Sequence, residues 1–207
     1  LNVKTRCLLR LDEDIAGGMS RSAREQSADL LVIGAGRPDK FRRWFFGDLV
    51  DGVCRTAHCP VVVVNLANRE VEDLQRILVP IKDLSASARE QFELAQRVLA
   101  STSPDAGLIT LLHIVDPRFN RTDRARIERE LRRWLPTQGQ TTSTVVQLER
   151  GPGVETKIER RSRDHDLVIL RSQRRQVAGL PIPASDRTSN LVSLLDCASM
   201  VISEPLT

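Results

Sequence analysis

The side chains best suited to chemistry in this sequence are basic. Arg171-Ser172-Gln173-Arg174-Arg175 follows an apolar run, 167–170, that reads as a strand. In doubly wound sheets, ligands bind beyond the carboxyl ends of the strands. Arginine forks placed there suit phosphate or carboxylate, because a guanidinium offers parallel donors in a fixed geometry. The same composition also describes a solvated basic loop, which is the plainer reading. A second basic stretch, 118–133, holds seven Arg against three acids. A helix of that pattern is either a solvated face or a surface that lies against anionic lipid.

The other reactive residues form no constellation. His58, His113 and His165 sit singly at the edges of predicted strands, so each reads as a structural or surface residue. Cys7, Cys54, Cys59 and Cys197 include no C-x-x-C pair and no histidine at zinc-ligand spacing. Cys7 and Cys59 lie in or beside apolar strands, where a free thiol acts as a small hydrophobe. Reduced cysteines of this kind fit a cytosolic setting. A Walker loop, a nucleophile elbow and a metal-binding carboxylate cluster are all missing from the sequence. The chain is therefore read as non-enzymatic.

Composition narrows the partners. The 207 residues are 41% hydrophobic and 28% charged, as in ordinary globular domains. Net charge is +4, aromatics make up 3% and Tyr is absent, a poor match to a nucleic-acid surface. No apolar run approaches the roughly 20 residues that cross a bilayer. The start, Leu1-Asn2-Val3-Lys4, is no secretory signal. It also lacks an initiator Met, which suggests a piece of a longer protein.

A repeat organises the elements. Asp29-Leu30-Leu31-Val32-Ile33 and Asp166-Leu167-Val168-Ile169-Leu170 share a pattern at an offset of 137. The same offset carries Leu8-Leu9-x-Leu11 onto Val145-Val146-x-Leu148. With one inserted residue, Gly47-Asp48 falls on Ser185-Asp186 and Val61-Val62-Val63 near Met200-Val201-Ile202. A repeat of this length is a duplicated domain.

The second copy reads as complete: strands 76–80, 108–115, 145–148, 167–170 and 200–203, with helices from 87, over 122–135, 154–163 and 189–195, and a long loop after 170. The first copy holds strand 5–11, helix 17–27, strand 30–33, helix 48–56 and strand 61–64. Near-continuous apolar strands alternating with helices predict an α/β fold with a doubly wound, mostly parallel sheet, duplicated. The expected division is 1–68, a closing half; 69–75, a linker; and 76–207, a whole domain. The missing opening half of the first copy lies upstream or comes from a partner chain, since an open sheet edge is otherwise exposed.

The stretch Ala28–Arg37, then Gly47-Asp48, then His58-Cys59-Pro60-Val61-Val62-Val63-Val64 resembles the closing half of universal stress proteins. Ile77-Leu78-Val79-Pro80-Ile81-Lys82-Asp83 resembles that family's first strand. The resemblance implies a Rossmann-like sheet and, in many members, ATP at the point where the strand order reverses. Its nucleotide motif is G-x-x-G, nine residues, then Gly with Ser or Thr. Glycines let backbone N–H groups approach phosphates, and a hydroxyl at a helix start donates to them.

The motif is degenerate here. Gly34 fits, Arg37 replaces the second glycine beside Gly36, Gly47 fits, and Asp48 replaces the hydroxyl. Asp48 reads as a helix N-cap. In the second copy Arg171, Gln173 and Arg174 fill the glycine loop and Ser185-Asp186 replaces the Gly-Ser/Thr pair. Beyond Pro80, the place of the family's adenosine-contacting Asp is taken by Lys82, with Asp83 one step later.

The elements also resemble soluble extensions of bacterial transporters, chloride channels or cation/proton antiporters. The expectation is a regulatory module at the cytoplasmic face of an attached transmembrane domain, with no certain cofactor and an adenine nucleotide as candidate ligand. A free-standing, cytosolic ATP-binding stress protein is the alternative. The closing strands are expected to pair, either copy to copy or in a homodimer.

Overall fold

The computed structural model describes residues 4–35, 47–103, 106–135, 143–172, 175–177, 180–182 and 186–204. In chain order the elements are α1 (Ile15–Glu25), β1 (Leu31–Gly34), α2 (Gly47–Thr56), β2 (Val61–Asn65), β3 (Arg76–Ile81), α3 (Ala86–Thr102), β4 (Leu108–Val115) and α4 (Arg121–Trp134). They continue with β5 (Ser143–Arg150), α5 (Val154–Ser162), β6 (Leu167–Ser172), β7 (Arg175–Val177), β8 (Leu180–Ile182), α6 (Asp186–Ser193) and β9 (Ala198–Ser203). The helix starts are written locally. The Asp14 carboxylate accepts the N–H groups of Ala16 and Gly17, and Ser85 Oγ accepts that of Ala88. Asn120 and Asp123 form a reciprocal capping box on α4.

Seven strands form one sheet in the order β1-β2-β9-β6-β3-β4-β5. Every neighbouring pair is parallel except β2 and β9. The fold is α/β with a mostly parallel sheet, as the alternation of strands and helices predicts. From β3 the chain winds outward through β4 to β5, then returns to the other side of β3 as β6 and β9. The strand order therefore reverses between β3 and β6.

Strands buried on both faces explain the continuous apolar runs. On one face Ile77, Val79, Ile109, Leu111, Leu167 and Ile169 pack under Phe92 and Leu99 of α3 and Leu131 of α4. On the other, Leu78, Leu112, Val168 and Leu170 meet Ile158 of α5 and Leu191 and Val192 of α6. A third cluster joins Ile33, Val61 and Val63 to Ala16 of α1 and Val50 and Val53 of α2.

The strand pairs matched in the sequence share a register. Leu31 pairs with Val61 as Val168 pairs with Ser199, which is the 137 offset with its one inserted residue. The closing strands then meet antiparallel, Val62 opposite Ile202 and Val63 opposite Val201, around a local two-fold.

Three expectations are corrected. Residues 5–11 form no strand; Leu9 and Leu11 are each 94% exposed. Their counterpart, β5, is a strand because β4 supplies a ladder, and among the described residues no such partner stands beside residues 5–11. Cys7 in this stretch is accordingly exposed rather than a buried hydrophobe. The long loop after β6 contains a hairpin, β7 with β8.

Candidate functional site

The reversal between β3 and β6 is where a doubly wound sheet places a ligand. Here a buried side chain bridges the two strand ends. Gln91 of α3, 3% exposed, donates from Nε2 to the carbonyls of Pro80 (3.1 Å) and Ile169 (2.6 Å), stapling the ends of β3 and β6. Pro80, a predicted site residue, thus has its carbonyl committed to a side chain.

Arg171 lies next to it and belongs to β6 rather than to a loop. Its side chain is only 13% exposed, so the solvated reading is wrong for this residue. One guanidinium nitrogen donates to the Ser87 carbonyl at 2.5 Å. The other donates to Glu90 at 3.0 Å and is ion-paired with Glu204. Both terminal nitrogens of the fork are engaged and its charge is met by two carboxylates, while Nε is buried with no hydrogen-bond partner among the described residues. A phosphate entering here would have to displace both.

The base-side residues are also turned to local work. Lys82 is exposed at the end of β3. Asp83 accepts the Ser85 backbone N–H at 3.1 Å, and hydrogen bonds from Ser85 hold its carboxyl below the ordinary range. His113 Nδ1 donates to the Ile81 carbonyl at 3.1 Å, which fixes its tautomer. Gly34 ends β1 with, among the described residues, nothing within 4 Å of where a Cβ would stand, so the backbone there is open.

Gly47 begins α2, and Asp48 is its second residue. Asp48 stands in the first turn of the described helix. Gly36, Arg37, Arg174 and Ser185 lie outside the described residues.

The structure unites Pro80 and Arg171 with three residues that the sequence did not single out: Gln91, Glu90 and Glu204. Gln91 left a signal, because it interrupts the apolar stripe Ala88, Phe92, Ala95, Leu99 with a polar group at helical spacing. Glu90 and Glu204 gave none, since surface glutamates are common.

The remaining candidates are structural. His165 is buried, with Nδ1 on the Arg161 carbonyl at 2.7 Å and Nε2 on Thr110 Oγ1 at 2.8 Å. Burial pushes the Cys197 thiol up to about 11, where it is inert. Among the described residues, no group of three or more His, Cys, Asp or Glu could hold a metal. No described helix is long and apolar enough to cross a membrane.

Comparison with known proteins fits this geometry. The model of the universal stress protein family matches residues 3–65. That segment is similar to universal stress proteins. Over 180 residues the chain is 33% identical to the Na(+)/H(+) antiporter NhaS5 of Synechocystis sp. (strain ATCC 27184 / PCC 6803 / Kazusa). The match takes in 86% of this chain but 25% of that protein, so the chain spans about a quarter of its curated relative.

Among solved structures, a protein of Pseudomonas aeruginosa UCBPP-PA14 assigned to the universal stress proteins superposes with a TM-score of 0.66. It is 13% identical, over 93% of this chain and 69% of the other. A universal stress protein of Archaeoglobus fulgidus DSM 4304 gives 0.60 at 18%, over 90% and 65%. At such identity these two share the fold.

Proposed function

We propose that this chain is a non-enzymatic regulatory module of universal-stress-protein type within a cation/proton antiporter, with degenerate nucleotide sites. The observation that carries the reading is the match to an antiporter along most of this chain's length. Of the two transporter classes weighed from the sequence, it favours the antiporter over the chloride channel. The occupied Arg171 fork supports the second half of the reading, because the place where the fold would hold a phosphate is closed by Glu90 and Glu204.

Such a module acts by shifting an equilibrium of the part it is joined to. The test is cation/proton exchange in everted membrane vesicles, comparing the natural polypeptide with one from which residues 1–207 are deleted. The expected result is retained exchange whose dependence on cytoplasmic pH or adenine nucleotide changes severalfold. Unchanged dependence would overturn the proposal. A natural polypeptide with no membrane-spanning segment would return the case to a free-standing ATP-binding stress protein.

A further inference from the structure

The basic stretch 118–133 becomes a one-sided surface once α4 is folded. Arg121, Arg126, Arg129, Arg132 and Arg133 are all exposed, whereas Ile127, Leu131 and Trp134 pack on the core. At about 100° per residue, those five arginines fall within an arc of about 140°, opposite the packed stripe. The same arc holds Thr122 and Ala125, both exposed, and no acid. The three acids of the helix lie outside it: Asp123 and Glu128 are half-buried, and Glu130 stands on the flank. Arg126 and Arg132 pair with Asp123 and Glu128, yet keep 63% and 64% of their side chains exposed. Arg121, Arg129 and Arg133 have no carboxylate partner among the described residues.

The charge of the whole chain is gathered on this helix. Six Arg against three acids give α4 alone +3 of the chain's net +4, so the remaining sequence is close to neutral. Just ahead of the helix stands Phe119, 37% exposed. It is the one aromatic among the exposed large apolar side chains of the described residues. Phe119 precedes the cap Asn120, a place from which an apolar residue ordinarily packs on one at the fourth helical position. That position is Arg124, whose guanidinium donates to the Leu148 carbonyl at 3.1 Å, so Phe119 meets no apolar mate there. Arg118, between them and the strand, is spent on Asp116.

We propose that this face of α4 docks on an anionic lipid surface, with its five arginines on headgroup phosphates and Phe119 at the headgroup level. Guanidinium forks bond phosphates bidentately, and a negative leaflet attracts such residues within a Debye length. Three features choose lipid over nucleic acid. A membrane presents its phosphates in a plane, which suits one outer helix face spanning about 18 Å from Arg121 to Arg133. No Asn or Gln accompanies the arginines on the arc to read base edges, and the rest of the chain adds little positive charge. An exposed aromatic beside the basic face fits the boundary between headgroups and acyl chains. The inference deepens the antiporter reading and rests on it for a membrane within reach.

The test is co-sedimentation of the 207-residue chain with vesicles of phosphatidylcholine, alone or with about 30 mol% phosphatidylglycerol, an anionic lipid. Partition onto the anionic vesicles should be at least about tenfold higher in about 0.1 M salt. It should collapse near 1 M, where the Debye length falls from about 10 to about 3 Å. Arg129→Gln with Arg133→Gln should weaken it at least about fivefold. Arg24→Gln with Arg55→Gln, the same charge change at exposed sites on α1 and α2, should weaken it less than about twofold. Phe119→Ala should weaken it about threefold without altering the salt dependence. Equal effects of the two arginine pairs overturn the proposal, as does equal binding to neutral and anionic vesicles. An unchanged Phe119→Ala overturns the choice of lipid. Tighter binding to a short RNA duplex at equal phosphate concentration overturns it too, and gives the face to nucleic acid. The vesicles carry no transporter, so the two readings fail separately. Vesicle binding with exchange unaltered by deletion of residues 1–207 keeps this inference and sinks the antiporter reading; altered exchange without vesicle binding does the reverse.

Discussion

Asp166 Oδ2 sits 2.8 Å from the backbone nitrogen of Arg76, ninety residues away in sequence. The same oxygen accepts from Gln75, while Oδ1 pairs with Arg69 at 3.3 Å. This one carboxylate ties the segment between the closing strand β2 and β3 to the start of β6. It also gives the repeated acidic residue a function beyond punctuation. Hydrogen bonds to charged groups contribute about 1.5–3 kcal/mol each, and the Arg69 pair adds little because its guanidinium is exposed. Asp166→Ala should therefore lower the free energy of urea unfolding by about 2–4 kcal/mol, and Asp166→Asn by less. Asp29→Ala in the same chain should stay within about 0.5 kcal/mol of the parent, as for an exposed surface site with no partner among the described residues.

His165 should make stability depend on pH. Burial lowers its affinity for a proton, outweighing the bond to the Arg161 carbonyl. The unfolded chain then binds the proton more readily, so protonation favours unfolding. Stability should be flat above about pH 6.5, the ordinary histidine value, and fall as the pH drops below it. Thermal melts from pH 7.5 to 5 should show this decline, and His165→Gln should flatten it. A parent melting temperature that does not change over that range would show that the imidazole charges without leaving its site.

The contact of α1 with α2 depends on a missing side chain. A Cβ at Gly52 would stand 2.7 Å from the Ala16 Cβ. Gly52→Ala gains roughly 1 kcal/mol of helix propensity, and overpacking costs typically about 1–3 kcal/mol. The clash should win by up to about 2 kcal/mol, and Gly52→Val, bulkier and β-branched, should cost more. Urea midpoints of the two variants decide it: a stabilised Gly52→Ala would mean the helices separate freely.

How much of this was legible from sequence follows from where each signal resides. The strands β3, β4 and β6 show as apolar runs because both of their faces are buried, and the repeat shows because Asp29 and Asp166 begin matched strands. Residues 5–11 carry the same alternating pattern as β5 yet form no strand. A strand is a property of a pair, and pattern alone does not supply the partner. The site divided in the same way. Arg171 was visible as a charged group at a strand end, but its neutralisation was not, because Glu90 and Glu204 come from positions far along the chain. The antiparallel meeting of β2 with β9 was foreseen only as a tendency of closing strands to pair.

The last prediction concerns nucleotide. The second segment holds the complete order-reversal crevice, but Gln91 staples its two strands together and Arg171 is spent on Ser87, Glu90 and Glu204. A phosphate gains an Arg there only by breaking two ion pairs and leaving Glu90 and Glu204 beside it. The first segment keeps an open backbone at Gly34, but among the described residues β1 has no strand on the side where an adenine would rest. Neither segment offers both halves of a site. ATP should therefore bind this chain with a dissociation constant no tighter than about 100 μM, or roughly 5.5 kcal/mol. Isothermal titration with ATP, ADP and AMP measures it. Glu90→Gln together with Glu204→Gln removes the competing carboxylates while leaving the fork, so this double variant should bind ATP several times more tightly than the parent. Micromolar binding by the parent, lost in Gly47→Val, would instead place a working site in the first segment. In that case the departures at Arg37 and Asp48 are tolerated.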